Sequence, residues 1–511
     1  MLYILIVVLP WLVLGVMLLR LRLPADGMTP AAVPFGAFND GVFYWHQAET
    51  FRVAGFNGGI YSVDEQRQVI DSVPFYTWGP FIPMLYGSIG RVFGWALYSI
   101  PLINLVLLSL ALAAYIWLVR PALLGAALLV LFLGTSNLLL FASTLSLVTV
   151  LNAAFAVMYA LIFTRLLSPG STIKRWEWWA GGLLLLIGSL ILPIWGTLFV
   201  PYFALLLRNR SVWTILAGVG IGFVCFAAAL VAFMLLGAPF PNAASEILAN
   251  LRISMDAGIE RLLLNIRQNL QYHVESTRLE NWTRVQVVVL VAIALALAGR
   301  WLSRKRVGWR DLRVWEWLFH AYHLGFLYLL FITIYLQIGY SDYRQFAPRL
   351  LLSTLLLIGL RRYTLAAVVV LSMLPAIVFV YEPARFNMLN HVSADNNAQI
   401  LEWQSQLSTV LVYDPAAPSP WCNTVMMSQY YVHYELQLLT AIPGGIGLSF
   451  DFGDLTGPPF RSRYLLLHDD IYARYASQLT VVPLLEVPQG TLYANAMSAC
   501  PLPISQEGDL P

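Results

Sequence analysis

The side chains able to do chemistry are few and fall in three places. Asn39-Asp40 opens a stretch in which His46 and Glu49 follow, one helical turn apart. Arg344 and Arg349 flank Gln345-Phe346-Ala347-Pro348 at the head of an apolar run, and Arg261, Arg267 and His273 punctuate a second polar stretch. A carboxylate at such a position can accept a proton or simply cap a helix. Arginines beside an apolar run anchor it at the membrane boundary or pair with a neighbour such as Asp342. His46, Glu49, Arg261 and Arg267 also suit the solvated face of an amphipathic helix. There is no Asp-x-Asp, no His-x-x-x-His and no cysteine cluster, and Asp64-Glu65-Asp71 reads as a polar turn. No cofactor is therefore expected, with a divalent metal left open. A P-loop or dinucleotide fingerprint is missing too, so a nucleotide-linked substrate is not suggested.

What must position these groups is a membrane. Of 511 residues, 59% are hydrophobic and 11% charged, against about 25% charged in an ordinary soluble domain. The mean hydropathy is +0.70, and 17 Trp, 25 Tyr and 27 Phe supply aromatic residues for the water boundaries. Soluble, collagenous, disordered and nucleic-acid-binding classes are excluded. A crossing needs about 20 apolar residues, fewer when packed among other helices. Eleven stretches qualify: 3–20, 96–118, 122–141, 145–167, 178–193, 195–208, 213–236, 285–300, 315–338, 347–360 and 364–381. With a cytoplasmic N-terminus, the short inner loops hold fourteen basic residues and three acids, whereas the long outer segments hold sixteen basic and 24 acidic. That concentration of positive charge sets the orientation. Arg20 and Arg22 alone argue for an inverted first helix. Residues 3–20 have no basic lead-in and no small-x-small site before Pro24, so a retained helix is expected rather than a signal peptide.

Three segments are left on the exterior: 21–95, 237–284 and a tail from 382 to 511. The spans themselves hold no acidic or basic residue away from their ends, which argues against a coupled carrier. In the first loop, Tyr44, Trp45, Ala48 and Phe51 share one face of a helix that would lie on the membrane, ended by Gly55, Gly58 and Gly59 before an extended piece at Tyr61. In the second, Leu248 to Leu270 recur at helical spacing, as in an interfacial helix. The tail alternates as a small α/β domain, with strands at 409–413, 446–450, 463–467, 480–485 and 491–496 and helices at 424–439 and 469–478. Cys225 falls in a span; Cys422 and Cys500 could pair if the tail faces an oxidising compartment. His320 and His323, at the inner end of the ninth span, read as packing residues.

The expected architecture is thus mainly α: a polytopic bundle of about eleven spans at 1–381, with interfacial helices in its exterior loops, followed by an exterior α/β domain at 382–511. The long first exterior loop, with an acidic residue soon after the first span, an amphipathic helix, Gly58-Gly59-Ile60-Tyr61, an aromatic-proline return and Phe93-Gly94, resembles the GT-C superfamily of membrane glycosyltransferases. Tyr343-Arg344-Gln345-Phe346-Ala347-Pro348 is similar to the Arg-Tyr-x-x-Pro segment of many such enzymes. The protein O-mannosyl and aminoarabinose transferases carry an Asp-Glu pair where this chain has Asn39-Asp40, and the Trp-Trp-Asp signature of oligosaccharyltransferases is absent. The nearer likeness is to bacterial mannosyltransferase-type members using a polyprenyl-phosphate sugar.

The resemblance implies an inverting transfer of that sugar to a hydroxyl of a glycan, lipid or protein at the exterior face of a plasma or inner membrane, in cell-envelope glycan synthesis. It implies Asp40 as base, Glu49 as a helper, and Arg344, Arg349 and Arg261 on the donor phosphate, for which a planar bidentate donor is well suited. The competing expectations are a transporter or flippase, a polymerase or ligase of lipid-linked glycans, and a scaffold whose tail binds a partner.

Overall fold

In the computed structural model, the described residues are 1–20, 40–63, 65, 75, 79–170, 174–236, 243–275, 282–303, 311–334, 341–374, 394–434, 436–450, 458–487 and 490–501. Five helices are long and apolar enough to cross a membrane: α4 (Ser99–Val119), α7 (Thr149–Leu167), α10 (Val212–Leu236), α13 (Trp282–Leu302, apolar from Val285) and α14 (Leu312–Ile334). Shorter apolar stretches stand beside them, in α1 (Leu2–Arg20), α5 (Leu123–Thr135), α9 (Phe199–Leu206), α15 (Ser341–Gly359) and α16 (Tyr363–Leu371). The chain is a multi-pass membrane protein. Each of the eleven expected stretches holds a helix, though length and apolarity together qualify five, so a count of eleven is not fixed by the helices. Residues 375–381 of the last stretch lie outside the described residues.

The bundle is organised around α7, which is buried along nearly its whole length. Its neighbours turn their apolar outer faces to lipid, as Leu110, Trp117, Val224 and Leu235 do. Without a hydrophobic drive between helices in lipid, close approach depends on small residues. In α10 only Gly218, Gly222 and Ala229 are buried, and a Cβ on Gly222 would stand 2.5 Å from Val200 Cα. Hydroxyls and amides supply the remaining glue: Tyr115 donates to Leu355 O (2.5 Å) and Asn104 Nδ2 to Leu147 O (2.9 Å).

A six-stranded sheet follows the bundle, in the order β1 (Ser62–Val63), β3 (Gly447–Phe450), β2 (Thr424–Met427), β4 (Tyr464–His468), β6 (Gly490–Asn495), β5 (Val481–Val487). The first four are parallel, and β6 runs antiparallel between β4 and β5. The edge strand β1 comes from the first long loop, pairing Ser62 with Ser449 and Val63 with Phe450. Cys422 and Cys500 are bonded across 78 residues.

Three expectations for the tail and second loop are corrected. Residues 409–413 are irregular: Val412 is 60% exposed, and no strand among the described residues pairs with them. Residues 424–427 form the central strand β2, not the start of a helix. A parallel strand covered on both faces is a continuous apolar run whose period cannot be told from a helix. The second loop forms two helices, α11 (Ala243–Ile253) and α12 (Met255–Glu275), broken at Ser254, whose hydroxyl accepts from Ala257 N.

Candidate functional site

Asp40 is the first residue of α2 (Asp40–Ala54) and is half-buried there. An acid in the first turn faces the positive end of the helix macrodipole, a placement that stabilises the helix start. Residues 41–51 are buried without interruption. The expected amphipathic helix lying on the membrane is therefore a helix enclosed on all sides, and His46 and Glu49 have no solvated face. The cover is threefold. A Cβ on Gly41 would meet Ser146 O at 3.1 Å, so the α2 start rests on the turn before α7. Behind it, α3 (Phe81–Phe93) approaches so closely that a Cβ on Gly87 would stand 2.6 Å from Ala48 O. The tail closes the third side.

The joint between α2 and the tail is polar and dry. His46 Nε2 lies 3.1 Å from Ile442 O and its Nδ1 lies 2.6 Å from Tyr61 OH. Burial pushes this imidazole down to about 3, so it is neutral. Its one proton then sits on Nε2, donated to Ile442 O, and Tyr61 donates to Nδ1. Thr50 Oγ1 is 3.0 Å from the same phenol oxygen and accepts from Gly445 N (3.4 Å). Gly59 N donates to Gly445 O and Ile60 N to Thr424 Oγ1, each at 2.9 Å. Beyond β1, Glu65 accepts from Arg461 N, Ser462 N and the Ser462 hydroxyl; burial raises its carboxyl, and these bonds oppose the rise. At the other end of α2, Arg91 of α3 donates to Phe51 O and Arg52 O (2.8 Å each), capping the last carbonyls.

The remaining expected site residues disperse. Glu49 is buried and grips Arg52 through two bonds of 2.5 and 2.8 Å, so it is engaged one turn along its own helix. Arg261 is ion-paired with Glu246 of α11. Arg344 lies in the first turn of α15. Arg349 is no interfacial anchor: α15 begins six residues before the expected apolar run, which makes Arg349 the ninth of nineteen residues and leaves it 1% exposed. Its Nη2 donates to Ile194 O (2.6 Å) and Thr197 Oγ1 (3.2 Å), and its guanidinium stacks 4.1 Å from the Trp195 ring. Nη1 has no hydrogen-bond partner among the described residues.

Sequence reading missed what surrounds this arginine. His320 and His323 stand in the middle of α14, fully buried, and both bond Ser353 Oγ, at 3.0 and 2.8 Å, one turn from Arg349. Trp195 Nε1 in turn donates to Asn152 of α7 (3.0 Å). The separation of His320 and His323 by three residues on an apolar helix was the available signal.

No family model matches the chain, and no curated protein matches it. Among solved structures it is similar to ArnT from Cupriavidus metallidurans in the apo state, at 12% identity and a TM-score of 0.42, covering 96% of this chain and 97% of that one. The same protein bound to undecaprenyl phosphate is similar at 12% identity and 0.43, covering 97% and 98%. Likeness at this level is one of overall layout and assigns no residue a role.

Proposed function

We propose that this chain is an integral-membrane inverting glycosyltransferase that moves a sugar from a polyprenyl-phosphate donor to an acceptor hydroxyl at the exterior face of the inner or plasma membrane. The observation that carries the reading is the placement of Asp40. A helix buried for eleven successive residues, gripped by the bundle and by the tail, carries a half-buried carboxylate at its first residue. Such a mount fixes a base to within the tolerance that positioning demands.

In the reaction, the acceptor oxygen forms a bond to the anomeric carbon from the face opposite the phosphate. The carbon–oxygen bond to phosphate breaks, its electron pair leaves with the phosphate, and the acceptor proton passes to Asp40. Arg344, in the first turn of α15, takes the leaving phosphate together with the N-terminal end of that helix. Arg349 fixes the turn at 193–198. Arg261 and Glu49 hold structure rather than substrate. Topology with a cytoplasmic N-terminus and an exterior tail agrees with the fold: α2, the turn at Ser146 and the tail meet at one end, while Glu316–Arg362 and Tyr3–Pro121 join inner loops at the other.

The buried Arg349, His320 and His323 favour a second reading, a carrier for a lipid or polymer, since ionisable groups at that depth often line a path. One experiment separates the two: transfer from a panel of radiolabelled polyprenyl-phosphate hexoses and pentoses in membranes holding wild type or Asp40→Asn. A general base is worth about 10²–10⁴-fold, so Asp40→Asn is expected to lose at least 100-fold while remaining folded. Equal product from both forms removes Asp40 from the reaction. Movement of intact labelled lipid without covalent change in either form would establish the carrier.

A further inference from the structure

The end of the bundle away from α2 carries an exposed patch of tryptophans and cations. The helix α8 (Arg175–Ile191) starts there. Glu177 in its first turn is ion-paired with Arg165 in the last turn of α7 (3.6 Å), and α7 begins beside α2 and runs for 19 residues before reaching that end. α9 returns alongside α8: a Cβ on Gly196 would meet Ser189 Cβ at 3.4 Å, and Tyr202 donates to Trp178 O (2.5 Å). The start of α10 follows α9 closely, since a Cβ on Gly218 would stand 2.7 Å from Leu207 Cδ1. Ser211 fixes that start by accepting from Thr214 N (3.2 Å). Residues 174–179 and 208–213 are thereby brought to one surface.

The side chains of this surface are available. Trp176, Trp179 and Trp213 are 64, 72 and 81% exposed, as indoles are at the headgroup level of a bilayer. Lys174, Arg175 and Arg210 are exposed and Arg208 is half-buried. None of these four cations pairs with a carboxylate among the described residues; Arg208 donates from Nη1 to Leu205 O (3.0 Å). The one acid of the surface, Glu177, is taken up by Arg165 and by Lys174 N (2.7 Å). By contrast, Arg362 is matched by Glu316, and Arg313 lies over the ring of Trp301 (4.6 Å). Below the cations the outward faces turn apolar, with Leu183 and Leu186 on α8 and Leu216 and Val224 on α10.

A partner matching this surface has an anionic head, a middle that packs on indoles and an apolar tail that follows the two helices. Phosphodiester oxygens accept charge-assisted bonds from guanidinium and ammonium groups, and each cation near an anionic lipid surface adds about 5-fold to the attraction. We propose that this patch is a binding site for an anionic phospholipid, with its phosphate held by Lys174, Arg175 and Arg210 and its glycerol level packed on Trp176, Trp179 and Trp213. A neutral lipid covers the apolar faces equally well and leaves the cations unmatched. On the topology proposed above, this end meets the inner leaflet, where anionic lipid is concentrated. The site stands apart from Asp40 and does not rest on the transfer reading.

The test is native mass spectrometry of the full-length protein released from detergent micelles that contain equimolar dioleoylphosphatidylglycerol and dioleoylphosphatidylcholine, with no sugar donor present. Wild type is expected to retain phosphatidylglycerol saturably and in preference to phosphatidylcholine by at least about 10-fold. Arg175→Gln combined with Arg210→Gln should cut that preference by at least about 5-fold. Arg300→Gln combined with Arg474→Gln removes as much charge from exposed positions elsewhere and should retain lipid as wild type does. Trp176→Leu combined with Trp213→Leu should weaken retention of both lipids. The proposal is overturned by equal retention of the two lipids in wild type, by an unchanged preference in the Arg175 and Arg210 variant, or by an equal loss in the Arg300 and Arg474 variant, which would mark attraction to net charge alone. Loss of the preference in excess inorganic phosphate would make free phosphate the occupant and overturn it too. Melting temperatures check folding, and Arg210→Gln alone, at an exposed position, decides the matter if the double variant fails to fold.

Discussion

Gly59 is where the tail meets the first loop at backbone distance, and Gly59→Ala is the sharpest test of that joint. A Cβ there would stand 1.8 Å from Asn423 O and 2.2 Å from Gly447 N, and a Cβ on Gly447 would meet Gly59 C at 2.3 Å. Both obstacles are main chain, so no rotamer change relieves them. The strand must withdraw by more than about 1 Å to reach ordinary contact distance, which breaks the bonds from Gly59 N to Gly445 O and from Ile60 N to Thr424 Oγ1 and loosens the pairing of Ser62 with Ser449. Overpacking costs about 1–3 kcal/mol, and two or three lost bonds add about 0.5–1.5 kcal/mol each. The expected loss is about 2–7 kcal/mol, a melting-point drop of about 4 °C or more. Transfer should fall with it, because Tyr61, two residues on, holds His46 of α2. Thermal unfolding in detergent and radiolabelled transfer measure the two effects. Gly299→Ala, with nothing within 4 Å, is the control and should be neutral or slightly stabilising. A Gly59→Ala protein that melts and transfers like wild type would refute the claim that loop and tail are one unit.

Acid should open the same joint. The neutral His46 titrates near 3 when folded and near 6.5 when unfolded, so its stability is fully present above 6.5 and is lost as pH falls from 6.5 towards 3, by about 1.4 kcal/mol per pH unit at most. Glu65 acts oppositely, its raised folded value giving stability that is present below the unfolded value of about 4.5 and lost as pH rises through the folded one. Unfolding curves from pH 4 to 7 should therefore flatten in His46→Gln. Arg349→Gln removes two charge-assisted bonds and a buried cation–π contact, about 5–8 kcal/mol together. Arg349→Lys should not restore it, because a point charge cannot reproduce the fork. Loss of folding in both variants marks a structural arginine, whereas a folded variant with raised donor KM marks a phosphate ligand.

The long apolar helices and most of the tail strands were legible because each depends on a local period or composition. Asp40 was legible as a helix start, since an acid ahead of an apolar-periodic run is a local signal. The enclosure of α2 was not, because its polar residues are satisfied by partners nearly 400 residues away, as His46 is by Ile442. Strand β2 was misread for a related reason: full burial erases the alternation that would separate strand from helix. Arg349 was placed at the boundary because hydropathy marks where apolar residues start, not where a helix starts, and α15 runs through a polar first turn before it.

The same long-range dependence decides what happens when the chain is cut at residue 381. Without the tail, α2 loses the acceptor for His46, the partners of Thr50 and the cover over one side, and β1 loses the only strand it pairs with among the described residues. Conversely, residues 382–511 alone would expose the edge of β3, which presents a hydrogen-bonding row to water or to another copy. A truncated chain should still insert, since its helices reach lipid without the tail, but its 40–63 segment should become protease-sensitive and transfer should vanish. Supplying residues 382–511 as a separate chain in the compartment that the tail faces should restore part of the activity, because the joint is made of non-covalent contacts. A truncated protein that transfers at the wild-type rate would show that α2 is held by the bundle alone and that the tail serves another purpose.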